Sequence, residues 1–74
     1  MNKVKMYRKK HNLTQKELGA LLGVTPDYVS QIERGRIPGI ETAKKIAEIF
    51  NTTIDEIFFT NEQNIKFDDE LISA

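Results

Sequence analysis

Apolar residues recur along this chain at helical spacing, separated by short polar or glycine-containing breaks. Val4 and Tyr7 stand three apart in a first segment that should end near Asn12, a residue type that tolerates the left-handed backbone closing many helices. Thr14 and Glu17 then form a capping-box pair, and Leu18, Leu21 and Leu22 follow with helical spacing. Gly23 is a suitable stop for this second helix. Thr25 is placed as an N-cap, and Pro26 fits the first helical position, where its missing N–H costs nothing. Gly35 closes the third helix, and Ile37, Pro38 and Gly39 make a turn. From Ile40 to Phe50, Ile40, Ala43, Ile46, Ala47 and Phe50 mark one apolar face. Thr53 and Glu56 repeat the capping-box spacing before a short fifth helix carrying Ile54, Ile57 and Phe58. The pattern predicts an all-α fold of five helices, with no strand before residue 60.

The third helix differs from its neighbours. Only Val29 and Ile32 suit a core, and the rest of its surface is polar. Its link to the second helix is just Gly23, Val24 and Thr25, so the two must cross steeply, as in a helix-turn-helix. Gly19 faces that crossing, where a larger side chain would hold the helices apart. Val24 plugs the turn, with Leu18, Leu22, Val29 and Ile32 packed beneath. A polar helix held out from the surface in this way fits the DNA major groove.

Composition sharpens this picture. The chain has 74 residues, enough for one domain with a limited core. It has no cysteine and a single histidine, His11, so neither disulfides nor a zinc site is expected, and no cofactor is implied. No apolar run approaches the ~20 residues of a membrane helix. A cytoplasmic protein without a membrane partner is the expectation. Enzymatic chemistry is not expected, because carboxylates are scattered over helix surfaces and no nucleophile–base or phosphate-loop pattern occurs. Net charge is zero but unevenly spread. Residues 1–59 hold ten Lys and Arg against seven Asp and Glu, and residues 60–74 hold one Lys against four acids. A mildly basic body followed by an acidic tail suggests a polyanionic partner for the body.

From Gln15 to Arg34 the sequence resembles the lambda-repressor-like, Cro/CI-type (XRE) regulators. The resemblance rests on Gln15, Glu17-Leu18, a small residue at 19, Leu22, Gly23, Val24, Val29 and Ile32-Glu33-Arg34-Gly35. It extends to Tyr7-Arg8 and to residues 42–50 and 54–58. Gly19 departs from the family's usual alanine, and Pro26 and Asp27 are unusual at the front of the third helix. The resemblance implies a sequence-specific transcriptional regulator, most simply a repressor, bound as a homodimer to a pseudo-palindromic site on double-stranded DNA. Pro26, Asp27, Tyr28, Ser30 and Gln31 are then the candidate base readers. Gln31 matches adenine, and Asp27 either accepts from cytosine or stabilises the helix dipole. Gln15, Arg34 and Arg36, with the N–H groups near Gly39 and Ile40, are candidate contacts to the DNA backbone. Arg8 and Glu33 are implied to form a partly buried structural ion pair, and His11 to cap the first helix.

The tail over residues 60–74 leaves two readings open. Ile65 and Phe67 alternate around Lys66, a strand signal over residues 64–68, and with Ile57, Phe58 and Phe59 they could hold a dimer. Alternatively the tail is disordered. Some short family members are antitoxins, so a protein partner bound through the tail is the competing function.

Overall fold

The computed structural model describes residues 2–59, and the strand and arm expectations for the tail, including Ile65 and Phe67, lie outside those residues. Four α-helices follow one another: α1 (Val4–Lys10), α2 (Gln15–Leu22), α3 (Pro26–Glu33) and α4 (Ile40–Ile49). The fifth helix is a π-helical segment, Asp55–Phe59. No helix among the described residues is long and apolar enough to cross a membrane.

Local chemistry accounts for most boundaries. The Thr14 hydroxyl accepts from the Glu17 N–H at 3.0 Å, and the Glu17 carboxylate accepts from the Thr14 N–H at 2.8 Å. Two of the donors that every helix N-terminus leaves over are thereby satisfied. Gly23 closes α2 in the left-handed conformation, at φ 78°. The Thr25 hydroxyl accepts from the Tyr28 N–H, with Pro26 at the start of α3. Asn12, at φ 60°, turns the chain after α1, and His11 is that helix's C-cap, its Nδ1 lying 2.9 Å from the Tyr7 carbonyl.

Val4, Leu18, Leu22, Val29, Ile32, Ala43, Ile46, Ala47, Phe50, Ile57 and Phe58 form one core. Tyr7 stacks on Phe50 at 5.6 Å between centroids, closing the core between α1 and α4. The α2–α3 crossing is close: a Cβ on Gly19 would lie 2.6 Å from the Val24 carbonyl oxygen. Glycine therefore serves this crossing by its lack of a side chain, which offsets its poor helix propensity.

Four expectations need correction. Ile40 is 67% exposed, although it begins the apolar series of α4. It occupies the first helical position, and side chains lean toward a helix's N-terminus, so this one reaches past the end. Leu21 is also exposed, because Leu18 and Leu22 already fill the narrow seam against α3. The second capping box is only half made. The Thr53 hydroxyl accepts from the Glu56 N–H at 3.1 Å, but the Glu56 carboxylate pairs with Lys3 Nζ at 2.9 Å. Finally, Ile57 and Phe58 belong to the protein's own core, which leaves Phe59 as the exposed member of that cluster.

Candidate nucleic-acid interface

The third helix buries Val29 and Ile32 completely, turns Glu33 inward toward Arg8, and presents Pro26, Asp27, Tyr28, Ser30 and Gln31 on its outer side. Pro26 and Asp27 are exposed, and Tyr28, Ser30 and Gln31 are half-buried. Arg34 and Arg36 are exposed where the chain leaves α3. Gly39 and Ile40 are exposed at the start of α4, whose N-terminus no side chain caps.

Three of these residues are linked. The Gln31 Nε2 donates to Asp27 Oδ2 at 2.9 Å, one helical turn back. The Gln31 Oε1 accepts from Arg36 Nη1. The Arg36 guanidinium lies over the Tyr28 ring, 4.7 Å from its centroid, a cation–π contact. Gly35, at φ 123°, provides the turn after α3 that brings Arg36 back over its outer face. Arg36 thus lies against the outer face of α3, a placement that residue spacing did not reveal.

A second network anchors the other side of α3. Arg8 is 8% exposed, and its Nε donates to Glu33 Oε2 at 2.5 Å. Its Nη1 donates to the Leu13 carbonyl at 2.8 Å. The remaining Glu33 oxygen accepts from Gln15 Nε2 at 3.1 Å. The implied Arg8–Glu33 pair is present, and Gln15 is a third member that the sequence did not suggest. Gln15 opens α2, so the network joins α1, α2 and α3.

Asn2 adds a tie with no sequence signal. Its Oδ1 accepts from the Val4 N–H at 3.0 Å, and its Nδ2 donates to the Ile32 carbonyl at 2.7 Å. It caps α1 and secures the end of α3 at once.

A tight α2–α3 turn, a buried ion pair behind it and a polar outer helix define a helix-turn-helix. Residues 4–57 match the family model described as helix-turn-helix, and the chain belongs to that family, of the Cro/CI type. It is 45% identical over 58 residues to an HTH-type transcriptional regulator of Methanocaldococcus jannaschii, covering 77% of this chain and 88% of that one. It is 36% identical over 64 residues to an HTH-type transcriptional regulator of Archaeoglobus fulgidus, covering 85% and 90%. The regulator YgzD of Bacillus subtilis is likewise 36% identical over 64 residues, covering 85% and 97%. The protein is a DNA-binding regulator rather than an enzyme.

Proposed function

We propose that the chain is a sequence-specific cytoplasmic repressor that binds a pseudo-palindromic operator as a homodimer. The carrying observation is α3 itself: two buried side chains fasten it, and Asp27, Tyr28 and Gln31 stand on the surface it offers to a groove. Gln15 and Arg34, with the uncapped N–H groups at Gly39 and Ile40, contact phosphates on either side. One module this small has modest affinity, so two copies read half-sites about 34 Å apart, one turn of DNA. Phe59, 57% exposed, is the described residue that supports such pairing, with Ile65 and Phe67 beyond it in sequence.

Selection of bound sites from a random duplex pool tests this reading. An inverted repeat with half-sites one turn apart is expected, and a pool that stays random overturns it. On the selected site, Arg34→Ala should make the dependence of log affinity on log salt shallower by about one unit. An unchanged slope removes Arg34 from the phosphate contacts.

A further inference from the structure

Gln31 sits between two partners of opposite character. A carboxylate only accepts hydrogen bonds, and a guanidinium only donates them. Asp27 therefore must face the Gln31 NH₂ group, and Arg36 must face its oxygen. Turning the carboxamide over would set acceptor against acceptor and donor against donor. Its orientation is thus fixed by the chemistry of its neighbours. The Tyr28 ring in turn holds the Arg36 guanidinium in place.

Each Gln31 group retains capacity. One Nε2 proton and one Oε1 lone pair are left for a ligand, in a set order: donor on the Asp27 side, acceptor on the Arg36 side. Adenine offers the matching N7 acceptor and N6 donor, whereas guanine offers two acceptors. A freely rotating carboxamide could turn over to suit an adenine on either strand. One held in a single orientation suits only one.

We propose that Arg36 is a positioning residue for base selection: with Asp27 and Tyr28 it orders the donor and acceptor of Gln31, so that each half-site accepts A·T in one strand sense and rejects T·A. This rests on the reading of α3 as the groove-facing helix. It gives Arg36 a task other than the backbone contact that its place after α3 suggests. It also turns one oxygen of the Asp27 carboxylate, Oδ2, toward Gln31.

The test uses the full chain and the site it selects from a random duplex pool. Gln31→Ala first identifies the base pair at which preference is lost. At that pair, the wild type should prefer A·T over T·A by about 5- to 150-fold, the range of a good bidentate contact. Arg36→Met should reduce that preference to within about threefold while leaving preferences at other positions unchanged. In the Gln31→Ala background, Arg36→Met should have no further effect on preference at that pair. In the free protein, Arg36→Met and Asp27→Ala should each shift the Gln31 side-chain NH₂ signals in a ¹⁵N–¹H spectrum. Circular dichroism of each variant checks that the helices persist.

The proposal fails if Arg36→Met weakens all four base pairs equally and adds to Gln31→Ala, which is the behaviour of a phosphate contact. It fails too if the Gln31 signals stay in place, or if Gln31→Ala leaves every preference intact while other positions remain selective. That last result spares the wider reading of α3. A flat profile at every position overturns both.

Discussion

The two sides of α3 carry the same three kinds of group in two different arrangements. Behind the helix, Arg8, Gln15 and Glu33 meet with the carboxylate at the centre, accepting from the other two. On its outer face, Asp27, Gln31 and Arg36 meet with the amide at the centre, accepting from one and donating to the other. The first network draws on three helices and is buried at its centre, where Glu33 has a side chain only 5% exposed. The second draws on α3 and the turn beyond it, and its central amide keeps capacity for another ligand. Hydrogen-bonding chemistry is shared, and burial separates the roles. A dry network stiffens the fold because each member needs its partners, while an exposed one adds little to stability and instead sets how its own side chains are turned.

The largest expected effect breaks the buried side. Arg8→Met should lower stability by about 3–5 kcal/mol, since it leaves the buried Glu33 carboxylate without its counter-charge. Pairing it with Glu33→Leu should restore much of the loss, because two apolar side chains need no partners. Denaturant titration of single and double variants checks this, and a single variant as stable as wild type would place Glu33 in contact with water.

Next comes the outer side. Gln31→Ala should cost about 1–3 kcal/mol on the selected site but leave stability within about 0.5 kcal/mol. Equal loss on random and selected DNA would deny the amide a role in reading bases.

Gly19→Ala probes the crossing that holds the two networks in register. Helix propensity alone favours alanine by up to about 1 kcal/mol. Against that, the new methyl would press on the Val24 carbonyl, and backbone displaced in this way typically costs about 1–3 kcal/mol. A net loss of about 1 kcal/mol is expected, read as a lower denaturant midpoint. The Gln15–Glu33 bond spans α2 and α3 and should loosen, whereas the Asp27–Gln31–Arg36 chain should move as a unit with α3. A rise in stability would mean that the crossing relaxes freely.

The smallest effect is on the outer acid. Asp27 lies in the first turn of α3, where a carboxylate favours the helix dipole by about 0.3–1 kcal/mol. Asp27→Asn should lower stability by no more than that, and the loss should shrink in high salt. A loss that salt does not touch would assign Asp27 a packing role.

The elements whose causes lie within four residues were legible in the sequence. The Thr14–Glu17 cap, the Thr25–Pro26 start and the Gly23 stop each follow from backbone groups and side chains one turn apart. So does the narrow Val29–Ile32 stripe that marks α3 as the helix turned outward. These pairs are made whenever the helix forms, wherever the helix lies. The Arg8–Glu33 pair spans 25 positions and was legible only through resemblance to a family.

Tertiary structure alone decided the rest. Glu56 had two possible partners, and the N-terminus running past the π-helical segment put Lys3 within reach. Ile40 and Leu21 carry core-type side chains at positions that packing left outside. Asn2 reaches Ile32 across 30 residues, and Arg36 folds back onto Tyr28 and Gln31 after the turn at Gly35. Helical periodicity specifies an angle around one axis. Which neighbour lies at that angle depends on how the axes cross, and here the crossing depends on the missing side chain of Gly19.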